Sequence, residues 1–563
     1  MATGKEGLET GRAGESPPSG RGVSNPVLIL LVWLVGISGG LLLYWGSKLT
    51  FLLDDWEFLL YRRGFDSHAI LDPHGEHIVV IPVLVYKALL AVFGMGSALP
   101  FRVVSTGLFL LSAVLLFVFL KRRVGEWPAL AATAVVLFLG AAWEDLLWSF
   151  QIGYFGCMAA GIGALLALER EGRRRDVIAT TLLSLGILLS SLGLSFIAGA
   201  AVQVLRREDR WRRLWVFLVP LAIYAIWYLG WGHTAEHAAS WANFAKTPAF
   251  ILNSLAASLA SAFGLFLPAA SESPGGLDWG RPILVALALL GAWRLAKLGK
   301  APRWLWVVVA IGGSFWFLAG LNQIPGRDPT ASRYQYIGVV FVLLIAAELL
   351  RGIKISPRVT VVVVLVAAAA IAPNVYYLHQ AYLSYRGTSQ LEKADLGALD
   401  IARETVEPGF VLEEDIADTG YVHVDAASYF SAEDEFGTPA YSSDELLEAS
   451  APARFAADKV LWAALRAEVT PIPASQAPSK GCATVEATSE LPPGGGIVVA
   501  GEQPIEDVKL ARFSSGEPPI DLQQQIEPGA GLRITIPEDR STVPWRVLLE
   551  TSGPSQICDL EGR

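Results

Sequence analysis

Two adjacent acids, Asp54 and Asp55, stand in the stretch "LLDDW" directly after a long apolar run. A carboxylate held at such a place can take a proton from a hydroxyl, and ionisable residues beside a membrane span are often functional. If the chain there is helical, neighbouring side chains point about 100° apart, so the two acids cannot share one role. Either can be the catalytic base, with Asp55 placed ahead of Asp54. Cations suited to phosphate come from Arg333 in "ASRYQY", Arg327 and Arg102. Arg333 precedes an apolar run, where it could hold a phosphate or simply snorkel to the interface. Around these stand His74, Glu76 and His77 of "HGEH", Glu144 and Asp145 of "WEDLL", then Gln151 and Tyr334, all candidate substrate contacts. Trp56 could stack on a sugar ring, although an interfacial belt is the commoner reason for Trp at such a site. A carboxylate base beside cations at headgroup level fits transfer of a group from a lipid-linked phosphate to a hydroxyl.

Other chemistries find less support. "HGEH" has the wrong spacing for a helical zinc pair, and the chain holds no GxSxG. No Gly-rich loop follows a strand to cradle a nucleotide, and no nucleic-acid partner is expected. A divalent cation could sit beside the paired acids, but no spacing defines a ligand set, so no cofactor is fixed.

The elements that must position these residues are mostly apolar. The 563 residues are 53% hydrophobic, with a mean hydropathy of +0.44, which places the chain in a lipid bilayer with many crossings. Residues 1–25 are polar and rich in Gly, Ser and Pro, hence expected to be disordered, and 26–46 reads as a retained first span. Twelve apolar stretches follow one another, but basic loops such as "KRR" at 121, "EREGRRRD" at 169 and "RREDRWRR" at 206 should face the cytoplasm. Parity is restored if 78–94 lies at the outer interface, 177–205 crosses twice through a hinge at "LLSSLGLS", and 248–267 stays on the outer side. The outcome is about eleven transmembrane helices plus interfacial ones over 26–385, with a cytoplasmic N-terminus and the polar motifs gathered outside.

Near residue 388 the pattern changes. From Arg386 onward there are 31 acidic and 13 basic residues, a net −18, so the remainder carries +9 against a total of −9. That asymmetry indicates two compartments. Residues 386–470 read as mainly helical, from apolar spacings of three and four. Residues 471–563 show short alternating runs such as "GLRITI" and "WRVLLET", consistent with a small β-sandwich. Cys482 and Cys558 bracket that block and could pair; Cys157 lies within an apolar run and reads as packing.

The N-terminal half resembles the GT-C glycosyltransferases, polytopic enzymes that use polyprenyl-phosphate sugars. "LLDDW" stands where those families carry an acidic residue after the first span. "ALPFRVVSTGLFLLSAVLLFVFLKRRVG", residues 98–125, is similar to a motif that follows their first outer loop. The likeness is good over about 26–205 and looser beyond, and the chain is similar to bacterial family 39 and arabinosyltransferase-like enzymes. It implies an inverting glycosyltransferase of a bacterial plasma membrane, with a glycan or lipid-linked acceptor on the outer face and an exoplasmic C-terminal region. A lipid-glycan flippase would instead place ionisable residues near the bilayer midplane and often shows internal repeats. A non-catalytic envelope scaffold would share the architecture without the activity.

Overall fold

The computed structural model describes residues 25–235, 237–266, 276–413, 424–515 and 520–560. The polar leader expected to be disordered lies outside them, apart from Asn25. Asn25 opens the first span, Pro26–Gly46, by accepting a hydrogen bond from the Val27 amide, with Pro26 in the first turn where no amide is needed.

Among the described residues six helices are long and apolar enough to cross a membrane, or seven if a bent pair counts as one span. They are Pro26–Gly46, Leu99–Val124, Ser149–Leu168, Arg303–Leu321, Ser332–Leu350 and Pro357–Ile401, with Glu126–Leu137 and Gly140–Leu147 as the bent pair. Length and composition therefore do not support eleven crossings. The reason is that several apolar runs fold as short or broken helices. Arg173–Leu189 and Gly193–Leu205 have 17 and 13 residues, roughly 25 and 20 Å of helix, against a hydrocarbon core of about 30 Å. The break between them is at Ser190, whose backbone is extended, with φ −166° and ψ 148°. The Gly193 amide donates to the Ser190 carbonyl at 2.9 Å, and a Cβ on Gly193 would meet the Ile187 backbone at 2.8 Å. The other break bends by 41°. There Gly140 lies so close to the long helix Pro357–Ile401 that a methyl group would run into the Asn374 carbonyl. Asn374 ties the bend down, its Oδ1 accepting from the Ala141 amide at 3.2 Å and its Nδ2 donating to the Ser261 carbonyl at 3.0 Å.

The long helix carries the chain into the C-terminal region, where Ala426–Phe436, Ser443–Glu448 and Ala451–Leu465 precede nine strands. These are β1 (Glu468–Ile472), β2 (Cys482–Val485), β3 (Thr488–Glu490), β4 (Gly495–Val499), β5 (Ile505–Ala511), β6 (Ile520–Asp521), β7 (Gly531–Thr535), β8 (Arg546–Thr551) and β9 (Ser555–Cys558). They form two antiparallel sheets, ordered β1-β7-β4-β9-β2 and β3-β8-β5-β6. Val498, Leu532 and Ile557 from the first share one core with Val508, Leu510 and Val547 from the second, which makes the block a sandwich. Cys482 and Cys558 face each other in register across β2 and β9 and are disulfide-bonded, with Cα atoms 4.0 Å apart.

The sandwich does not hang as a separate module. Its core continues through Leu461, Tyr429 and Leu399 into Phe51, Trp56, Phe58 and Leu59 of the loop after the first span. Hydrogen bonds stitch the same seam: the Tyr61 hydroxyl donates to Asp425 at 2.7 Å and the Met95 amide to the Phe436 carbonyl at 2.7 Å.

Candidate active site

The loop between the first two long spans forms one wall of a cavity of about 260 Å³. Leu53 holds a left-handed backbone, φ 49°, which non-glycine residues adopt at some cost. The chain then turns into the short helix Asp55–Leu60, and the two acids part company. Asp54 lines the cavity, its side chain 28% exposed. Asp55 is fully buried on the other side of the turn. It accepts from the Leu52 amide at 3.0 Å, the Ser149 hydroxyl at 2.8 Å and the Tyr86 hydroxyl. Burial pushes its carboxyl above the usual range, against the pull of those bonds and of Arg102.

Asp54 is positioned by an ion-pair chain. His74 Nε2 lies 3.3 Å from Asp54 and Nδ1 lies 2.7 Å from Glu57, which in turn pairs with Arg62 at 2.8 Å. Burial opposes charge on His74, but the two carboxylates outweigh it and push the imidazole up to about 9. Glu57 is also penalised by burial, yet His74 and Arg62 bring it down to about 2. His74 is therefore an imidazolium whose two N–H groups point at two carboxylates. The tight turn that aims it has Gly75 at φ 52°, with the His74 and His77 backbones exchanging hydrogen bonds at 3.0 Å. His77 stays neutral, its imidazole driven down to about 4 by burial. Its Nε2 meets the Tyr154 hydroxyl at 3.2 Å, while Nδ1 is buried without a hydrogen-bond partner among the described residues.

Two arginines, Arg327 and Arg333, complete the polar lining. Arg327 pairs with Glu76. Arg333 lies 3.5 Å from Glu144, which also accepts from the Arg333 amide at 3.0 Å. Glu144 thus contributes through Arg333 and does not itself line the cavity.

Of the residues singled out from the sequence, Asp54, His74, Glu76, His77, Gln151, Arg327, Arg333 and Tyr334 line this one cavity. Asp55, Trp56, Arg102, Glu144 and Asp145 do not. Arg102 is buried and donates to the carbonyls of Thr50, at 2.6 Å, and Leu147, which fixes the loop to the bundle. Trp56 is fully buried in the loop's core. Asp145 is buried behind the bend. Tyr154, Ser190, Ser191 and Asn322 also line the cavity and were not singled out. "LLSSLGLS" signalled a hinge, and its hydroxyls could have been read as cavity-lining for the same reason. Among the described residues none beyond Ile337 lines the cavity, so the sandwich buttresses the loop from behind.

Among the described residues no group of three or more His, Cys, Asp or Glu is placed to hold a metal ion. The His74 cation already occupies the space between Asp54 and Glu57.

No family model and no curated protein matches the chain. Among solved structures it is similar to the crystal structure of ArnT from Cupriavidus metallidurans bound to undecaprenyl phosphate. That similarity has 13% identity and a TM-score of 0.42 over 74% of this chain and 86% of that one. A likeness at this level gives no residue a role and names no reaction.

Proposed function

We propose that the chain is an inverting glycosyltransferase that moves a sugar from polyprenyl phosphate to a hydroxyl of an envelope glycan or lipid-linked acceptor. The reaction takes place at the outer face of a bacterial plasma membrane, with the N-terminus cytoplasmic and the C-terminal region exoplasmic. One observation carries this reading: a carboxylate fixed by an imidazolium, Asp54, shares a cavity with two arginines, Arg327 and Arg333.

In this reading the acceptor oxygen attacks the anomeric carbon as its proton passes to the Asp54 carboxylate. The bond from that carbon to the phosphate oxygen breaks, and its electron pair leaves with polyprenyl phosphate. Arg327 and Arg333 stabilise the charge that develops there; the donor's phosphate would draw them from Glu76 and Glu144. Asp55 supports the turn, and the base is Asp54.

The test is release of polyprenyl phosphate in proteoliposomes from a panel of polyprenyl-phosphate hexoses and pentoses, with glycan acceptors present. Arg333→Ala should raise the donor KM more than the acceptor KM, because only the donor carries phosphate. Arg333→Lys should recover part of the loss, since a point charge replaces a fork. Unchanged donor kinetics in both variants would make Arg333 an interface residue and remove the phosphate site.

A further inference from the structure

At another place in the bundle three basic segments converge. Arg207 pairs with Glu171 and Asp209, and Arg213 with Asp176, which joins 171–176 to 207–213. Arg303, at the start of Arg303–Leu321, donates to the Gln203 carbonyl at 3.2 Å and lies within electrostatic reach of Arg206, Arg207 and Arg213, with Asp209 as the one carboxylate among its charged neighbours. Asp176 pairs with Arg213, Glu171 with Arg207, and Asp209 with both, while Glu208 makes no ion pair among the described residues. Arg206, Arg210, Arg212 and Arg303 have no carboxylate at ion-pair distance among the described residues. Exposed guanidinium groups gathered at one place repel one another modestly in water, and an anion set between them turns that repulsion into attraction.

What surrounds them says which anion. Arg206 stacks over Trp306 at 5.6 Å and Arg210 over Trp211 at 5.5 Å. Trp211 is 74% exposed, and Leu205, Trp306 and Val309 are exposed apolar side chains on the two helices that carry Arg206 and Arg303. Cations, indole rings and an apolar face in sequence match the layers of a lipid leaflet: phosphate, interface, acyl chain. A free phosphate would use the arginines alone.

We propose that Arg206 and Arg303 hold the phosphate of an anionic phospholipid, whose acyl chains lie along Leu205, Trp306 and Val309. The site is remote from the Asp54 cavity, shares no residue with it and does not depend on the reaction proposed there.

The full-length protein in neutral detergent is titrated with phosphatidylglycerol or phosphatidylcholine of matched chains, and bound lipid is counted by native mass spectrometry. Wild type should retain phosphatidylglycerol in preference. The Arg206→Gln/Arg303→Gln variant should lose that preference by roughly thirtyfold, since each basic residue at an anionic surface contributes about fivefold. Arg206→Gln alone changes an exposed side chain and should still lose about fivefold, so the test stands even if the double variant fails to fold. Inorganic phosphate and glycerol phosphate at equal concentration should not displace the lipid. Displacement would make this a free-phosphate site and overturn the proposal. Equal retention of both lipids by wild type, or an undiminished preference in the variants, would overturn it too.

Discussion

Replacing Asp54 with Asn removes a proton acceptor from a cavity wall and should leave packing intact, since the side chain is partly exposed. Loss of a general base costs about 10²–10⁴ in rate, so Asp54→Asn should express and melt normally while turnover collapses. Asp55→Asn should do the reverse. It replaces the acceptor of three buried hydrogen bonds beside Arg102, a change that costs roughly 1–3 kcal/mol, and its defect should appear first in thermal unfolding. Equal effects from the two variants would refute this division. The His74 chain has its own signature. His74 is raised from 6.5 to about 9, so its stabilisation is full below 6.5 and lost as pH rises through about 9. Glu57 is lowered from 4.5 to about 2, so its share is present above 4.5 and lost as pH falls through about 2. The melting temperature should therefore decline between pH 7 and 9, and His74→Gln should flatten that decline; an unaltered slope would mean that His74 carries no charge. The acid pair was visible in the sequence because apolar runs rarely end on two carboxylates. Which acid faces the cavity depends on the left-handed Leu53, and no residue type announces that. Arg102 was misjudged for a similar reason: the carbonyls it binds lie about 50 and 45 positions away.

Among the elements, the two broken helices matter most: one break places Ser190, Ser191 and Leu192 on the cavity wall, and the other carries Glu144 to Arg333. Gly140 is the test case. A methyl group there has no room against the Asn374 carbonyl, and overpacking of this kind costs about 1–3 kcal/mol. Gly140→Ala should lower the melting temperature and also weaken donor use, since the helix after the bend carries Glu144 to Arg333. Gly107→Ala, with nothing within 4 Å of the added carbon, should be silent in both measurements. If Gly140→Ala is equally silent, the bend is not held by this contact. Apolar runs and the hinge at "LLSSLGLS" could be read directly from composition. The number of crossings could not, because a stretch of 13 to 17 apolar residues is the same string whether it spans or stops short.

For the whole molecule, orientation in the membrane has the largest consequence. Single cysteines at Ser443 and Gly172, in a background free of native cysteines, should differ towards an impermeant thiol reagent in intact cells. Ser443 should label and Gly172 should not; labelling at Gly172 would move the cavity to the cytoplasmic side. The charge split near residue 388 was plain in the sequence. That the sandwich and the first loop share one core was not, because an apolar residue does not name its partner.

That shared core sets an order of events during synthesis. Phe51 and Phe58 pack on Phe101, Tyr86 and Phe150, but with Trp56 and Leu59 they are made roughly 330 residues before the C-terminal part of their shared core, which begins at Ala394. At about 5–20 residues per second, they wait for roughly a quarter of a minute to a minute. During that interval the apolar surface that the nearer partners leave uncovered is available to lipid, to chaperones and to other nascent chains. The loop that carries Asp54 is thus among the first segments to leave the ribosome and among the last to acquire its final shape.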